Sequence, residues 1–400
     1  MIKAGSVILL CLAPLAASAQ DISGALRFNY ANSSKLLDDE NNFYGATAQA
    51  KWLPTFSQAV DGKFEARATN PNIASGGTGR ASLLEGYVTV HGEHTDMRIG
   101  KQIIAWGRAD GINPTDNLTP RDYTVLLPFE DDQRFGTTAF KLNHYVTAED
   151  TLTVFVTPWF EPSKLPSAAL AEKKPAHTLS NSEIGLKYDK TGGGLDWSAS
   201  YFHGYSLLPE THPAASASLE LRYPKIDVLG MDMAQNFGRY GMRLEAAYIK
   251  PQPDTDALGM QPYWFYVVGA DRTFFDNLNI NLQLIGRRVQ SYADPAMLTD
   301  PLLRSLAVQN AITFDQQDRE SYGISSRISN KWLNDVLEAE IFFLTSITHH
   351  DSYIRPQLRY AFNDQVKSTL GAEIYSGAED TFFGRLKRNR TIYFETRYSF

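Results

Sequence analysis

The chain has 400 residues, a formal net charge of −7 and one cysteine, Cys11. Its mean hydropathy is −0.30, as in a water-soluble protein, yet it carries 20 Tyr and 22 Phe. No apolar run is long enough for a transmembrane helix, and the mild acidity argues against a nucleic-acid partner.

The N-terminus reads as a secretory signal. Lys3 gives a positive start, Val7 to Ala17 is mostly apolar, and Ala17-Ser18-Ala19 offers the small-x-small cleavage pattern. Cys11 lies inside the apolar run, which argues against a lipoprotein cut before it. The reading is a signal peptide over 1–19 and a single domain over 20–400. The mature chain then has no cysteine, so backbone pairing and packing must hold it without a disulfide. No helical periodicity of any length, no linker and no second composition regime follow residue 20.

What does follow is alternation. In Val60 to Thr69, Val60, Gly62, Phe64, Ala66 and Ala68 fall on one face and Asp61, Lys63, Glu65 and Arg67 on the other. Tyr44 to Trp52, Leu278 to Leu284 and Val366 to Tyr375 alternate in the same way. Such stretches number eighteen, from 22–31 to 389–400. The muddled one is 219–235, which contains Pro224. Short links such as Gly92–His94 and Lys190–Gly193 alternate with long ones such as Trp106–Arg134 and Tyr292–Asp318. An even count, one apolar and one polar face, and short turns opposite long loops predict an all-β transmembrane antiparallel barrel in the outer membrane of a Gram-negative bacterium.

Gly100 to Tyr123 stands apart. After a strand it becomes a polar loop stiffened by Pro114 and Pro120, with Gly107 and Gly111 permitting bends. Asp110, Asn113, Asp116, Asn117 and Asp122 can hold its turns by side-chain bonds to backbone. It is the third outer loop. We expect it to fold into the lumen, with Arg108, Asp110, Asp116 and Arg121 lining or bracing a constriction and pairing with the wall. Two alternatives stay open: an ordered surface loop, and a calcium site made by Asp110, Asn113, Asp116 and Asp122, whose spacing is not that of an EF-hand.

The last strand, TIYFETRYSF, sets Ile392, Phe394, Thr396, Tyr398 and the terminal Phe400 on one face. It resembles the assembly signal of bacterial outer-membrane barrels, carried chiefly by Phe394, Tyr398 and Phe400. Gly100-Lys101-Gln102, Trp106-Gly107 and Asn113-Pro114-x-Asp116 resemble the motifs of a largely uncharacterised proteobacterial outer-membrane family. These resemblances imply porin-like transport. The implied partners are outer-membrane lipid and lipopolysaccharide, the barrel assembly machinery and small solutes. They imply no cofactor and no metal, and leave the oligomeric state open.

On this register Lys63, Glu65, Arg67, Arg327, Arg355 and Arg359 are lumen-wall residues, and Arg27, Glu85, Glu245 and Glu395 also point inward. Most such charges are expected to pair across neighbouring strands. His349-His350-Asp351 reads as a turn, since adjacent strand residues face opposite ways. The sequence therefore predicts a channel for passive diffusion or export of small polar or hydrophobic solutes, constricted by the 106–134 loop, and not an enzyme. The rival readings are a plugged structural or adhesion barrel and an outer-membrane hydrolase, for which His144 and His203 would need a nucleophile.

Overall fold

A computed structural model describes residues 22–37, 40–125, 133–166, 170–214, 218–252, 258–275 and 277–400. The predicted signal peptide and part of the 106–134 loop lie outside these residues. Strands β1 to β18 are Ile22–Leu37, Glu40–Trp52, Val60–Asn70, Arg80–His91, Thr95–Gln102, Thr137–Tyr145, Asp150–Thr157, Glu183–Lys190, Leu195–Tyr205, Lys225–Phe237, Tyr240–Gln252, Tyr263–Phe274, Leu278–Val289, Glu320–Trp332, Leu337–Ser346, Ser352–Ala361, Val366–Ser376 and Thr391–Ser399. Each pairs antiparallel with its neighbours in sequence, and β1 pairs with β18 from Ala25↔Ser399 to Ser33↔Thr391. The ring is closed, so the membrane-spanning ladder has no open edge. Thr55–Ser57 adds a short strand against β3.

The predicted facing holds around the ring. Leu26, Phe28, Ile99, Leu229, Leu284, Ile341, Leu370 and Phe394 point outward, while Ala25, Arg27 and Ala31 of β1 are buried inside. Trp52 and Phe64 stack on the outer surface, 5.5 Å between ring centres. A closed barrel with such a belt belongs in a bacterial outer membrane. One slip occurs: Glu65 faces Glu85 but Ala66 faces Leu83, so Leu84 is an extra, buried residue in β4.

Two expectations are corrected. The 219–235 stretch is not one strand. Leu219–Arg222 pairs with Glu210–Pro213 and Ala171–Lys173 in a separate small sheet, and β10 begins only at Lys225. Pro224 lies in the break, having no N–H for a ladder, and its carbonyl accepts from Ser206 N at 2.9 Å. Nor is the chain after residue 20 free of helices. Helix α1, Pro301–Phe314, starts at Asp300, whose carboxylate accepts from Leu302 N and Leu303 N. A second, one-turn helix spans Phe382–Arg385. The buried face of α1 includes Leu306, Ala307, Asn310, Ala311 and Phe314. Asn310 breaks its apolar period. The amide donates to Thr211 O (3.0 Å) and Leu258 O (2.8 Å) and accepts from Thr211 N (2.8 Å).

The His349-His350-Asp351 stretch is a turn, as predicted, with His350 at φ 54°. It ties loops together. His349 places Nε2 3.1 Å from Asp315 and Nδ1 3.6 Å from Asp318, just beyond α1, and Asp351 accepts from Phe383 N at 2.8 Å.

Two predictions follow from this geometry. Phe400 N donates to Gly24 O at 3.0 Å and Gly24 N to Phe400 O at 2.9 Å, so the last residue closes the seam. Deleting Phe400 removes both bonds and the aromatic end of the signal, and should lower the yield of inserted barrel. Heat-modifiable gel migration measures this, and equal insertion by the truncated chain refutes it. The hydrogen bond to Asp315, with the other nearby carboxylates, raises the His349 pKa above its ordinary 6.5. The tie to α1 is therefore at full strength below that value and weakens as pH rises through the higher folded value. After division by the intrinsic base-catalysed rate, the protection of amides in 301–318 should fall between pH 6 and pH 9, and His349→Gln should abolish that fall.

Candidate functional site

The chain leaves the wall after Gln102 and turns inward. Ile103 N donates to Glu85 Oε1 at 3.0 Å. Ile104 N donates to Thr119 Oγ1 (3.1 Å), whose hydroxyl donates back to Ile104 O (2.7 Å), pinning the two arms of the loop together. Ile104, Trp106 and Leu118 then pack on Phe155, Phe202, Ile226, Val228, Ala247 and Ile249. Those wall residues face inward. Sequence reasoning assigned the lumen a polar face throughout, but β7 and β9 to β11 carry apolar side chains there, which form a core between loop and wall. Trp106 meets Phe155 edge-on at 5.5 Å.

Beyond Trp106 the loop is held by Glu245 of β11, which is fully buried. Its Oε2 accepts from Arg108 N (3.0 Å), Ala109 N (3.1 Å) and Asn113 Nδ2 (3.4 Å). Its Oε1 accepts from Thr115 N and Thr115 Oγ1, both at 2.8 Å. Two glycines permit this approach. A Cβ on Gly107, at φ +95°, would lie 2.5 and 2.6 Å from the Glu245 oxygens, and one on Gly230 would meet the Thr115 methyl at 2.7 Å.

The four loop residues singled out from sequence divide into two pairs. Arg108 reaches the wall, bonding Asp189 of β8 at 3.0 Å and also pairing with Asp232 of β10. Asp110 reaches Arg327 of β14 at 3.0 Å. Its backbone is gripped by Gln283 of β13, whose Oε1 accepts from Asp110 N (2.7 Å) and whose Nε2 donates to Asp110 O (2.9 Å). Asp116 and Arg121 do not reach wall charges. Asp116 pairs with Arg134 at 2.8 Å and Arg121 at 3.8 Å, all within the loop. Asp122 pairs with Lys164 at 3.2 Å. The calcium alternative therefore has no shared centre: Asp110, Asp116 and Asp122 each serve a different cation, and Asn113 donates to Ala109 O.

Wall charges are mostly paired between strands. Arg27 bonds Glu395 at 2.6 Å, and Lys63 bonds Glu65 at 3.0 Å and also Glu85. Arg327 bonds Glu340 at 3.0 Å, Arg355 lies 3.8 Å from the same carboxylate, and Arg359 bonds Glu338 at 3.2 Å. Arg67 lines a cavity of about 330 Å³ with Arg27, Arg80, Asp122 and Lys164. An outer vestibule of about 1170 Å³ lies among Phe43, Tyr123, Leu208, Glu373, Tyr375 and Phe382.

No protein-family model matches the chain, and no curated protein matches it in sequence. Solved structures do. The chain is similar to OpdK of Pseudomonas aeruginosa, crystallised with vanillate, at 8% identity and a TM-score of 0.58, over 95% of this chain and 98% of that one. OccK2 (OpdF) of Pseudomonas aeruginosa, crystallised with glucuronate, gives 11% and 0.57 over 95% and 97%. OccAB4 of Acinetobacter baumannii gives 8% and 0.55 over 95% and 97%. The shared property is the fold.

Glu245 and Gln283 were missed as loop anchors, although Glu245 was placed on the lumen face. Their partners are mostly backbone groups, which leave no signature at the partner's position. Glu245→Ala strands three loop N–H groups, at about 1–3 kcal/mol for each that stays buried. The barrel ladder is untouched, so the cost should appear as loop release. Thiol labelling of a cysteine placed at Ala109 should accelerate strongly in the Glu245→Ala background while the barrel keeps its heat-modifiable migration.

Proposed function

We propose that the chain is a passive outer-membrane channel for small solutes, narrowed by the loop between β5 and β6, with no catalytic role. The observation that carries this reading is the reach of the loop. It leaves the wall after β5 and is bonded to β8, β10, β11, β13 and β14 through Arg108, Asp110 and the Glu245 cage. In this reading Arg108 and Asp110 brace the constriction, Asp116 and Arg121 line its outer side, and Lys63, Glu65, Arg67, Arg327, Arg355 and Arg359 form the wall that solutes pass. Vanillate and glucuronate, bound in two structures of the same fold, suggest solutes of single-ring size. The hydrolase alternative has little support. His203 is bonded to Asp227 and His144 to Thr95, and among the described residues no Ser side chain bonds a His ring. Arg385, Lys387, Arg388 and Arg390, beside the last strand, would meet lipopolysaccharide phosphates.

Deleting Ala109 to Asn117 removes the Ala109, Asn113 and Thr115 ligands of Glu245 and the Asp110–Arg327 pair, but leaves Arg108 and every strand. Single-channel conductance in a planar bilayer should rise severalfold and ion selectivity should fall. A folded deletion protein with the conductance and selectivity of the intact chain removes the loop from the conduction path. A silent intact barrel favours the plugged structural reading.

A further inference from the structure

The outer vestibule, about 1170 Å³, has room for a single-ring molecule together with its hydration water. Leu165, Pro166, Leu208, Pro209 and Leu221 give it an apolar part. Phe43, Tyr123, Tyr375 and Phe382 add ring surface. Its polar part is a row across three adjoining strands, Glu373 of β17, Thr391 of β18 and Ser33 of β1, which are register partners in turn.

Glu373 is the charge in that row. The Tyr353 hydroxyl donates to its Oε1 at 2.8 Å, and the Tyr375 hydroxyl serves it too. The two rings stack at 5.1 Å between centres, and Phe383 joins them at 5.9 and 6.4 Å. Two phenols fill part of a carboxylate's acceptor capacity and leave its charge unbalanced. Arg355 of β16 attracts Glu373 from inside the wall, but it is turned to the Phe342 ring at 5.4 Å and lies 3.8 Å from Glu340. Among the described residues Glu373 has no ion pair. Arg385, Arg388 and Arg390 are exposed and line no part of the vestibule. The second vestibule carboxylate, Glu40, accepts from the Asn72 amide. The one described cation in the lining, Arg80, stands on β4, five strands round the ring from β17.

These groups define a solute. A carboxylate solute would meet Glu373 and Glu40 with like charge. A divalent metal ion needs several oxygen ligands together, and among the described residues no group of three acidic, His or Cys side chains is placed to hold one. An organic cation matches both parts of the lining, since a carboxylate and aromatic rings each attract it and its body covers apolar surface. We propose that the vestibule binds an organic ammonium, a primary amine carrying a single aromatic ring. Its ammonium donates to Glu373, and its ring lies against the aromatic and apolar lining. The proposal names a solute class for the channel described above and rests on that reading only in that the solute enters the vestibule from outside.

Equilibrium dialysis of radiolabelled phenethylamine against the full-length folded barrel in detergent tests it. Saturable binding is expected. 2-Phenylethanol, which lacks the charge, and 3-phenylpropanoate, which reverses it, should each compete at least about tenfold more weakly than the amine. Glu373→Gln keeps an acceptor for the two phenols and removes the charge, and should weaken phenethylamine binding by about tenfold or more. Should that variant not fold, the analogue series on the unaltered protein decides. Competition by 2-phenylethanol or 3-phenylpropanoate equal to the amine overturns the proposal, because the charge is then not read. Unchanged amine affinity in a folded Glu373→Gln barrel overturns it as well. So does the absence of saturable phenethylamine binding by a barrel that conducts in a bilayer, which leaves the channel reading standing. A barrel that binds the amine but never conducts removes the channel and keeps the site.

Discussion

Everything in this molecule depends on the ladder closing. A chain that crosses a bilayer as strands must give every backbone N–H and C=O a partner, because lipid offers none. Here the last pairing runs between β1 and β18, and the terminal residue itself bonds Gly24. Once the ring is shut, the two faces are free to specialise. The outer face needs only to be apolar. The inner face carries whatever the interior requires, which differs from one side of the ring to the other.

On the side of β7 to β13 the interior is a core. Trp106, Phe155, Phe202, Val228 and Ile249 exclude water much as the centre of a soluble domain does. Over that core lies a loop whose backbone is read by side chains of the wall. Glu245 collects three amides, and Gln283 copies half of a strand pairing against Asp110. These contacts need no particular loop side chain except at Gly107, Asn113 and Thr115. On the other side, β14 to β18 and β1 to β4 present paired charges such as Arg27 with Glu395 and Arg359 with Glu338. In the proposed channel, polar solutes pass beside these charges.

The barrel was legible because alternation survives wherever one face is lipid and the other water. Val60 to Thr69 shows this from sequence alone. Legibility fails where the inner face turns apolar. Ile226, Val228, Leu229 and Met231 of β10 place apolar side chains on both sides, and the period of two fades. Helix α1 was hidden by Asn310, a polar residue at the centre of its buried stripe. The loop's contents pointed to an ordered element, and Arg108 and Asp110 do bond the wall. The grouping of Asp116 with Arg121 and Arg134 was not foreseen, because which carboxylate meets which cation inside a loop depends on turns that spacing alone does not define.

The half-filled interior also sets how this barrel responds to heat. Outward residues of a membrane barrel stay among apolar chains when it unfolds in detergent, so they contribute little to the change in water-exposed area. The cluster around Trp106, Phe155 and Ile249 is different, since it is hidden from lumen water by the loop and by α1. Its exposure on melting adds the positive heat-capacity increment of a soluble protein's core. That increment should belong almost wholly to one side of the ring, and it gives the stability curve of this barrel a curvature that an open, water-lined barrel of equal strand number lacks.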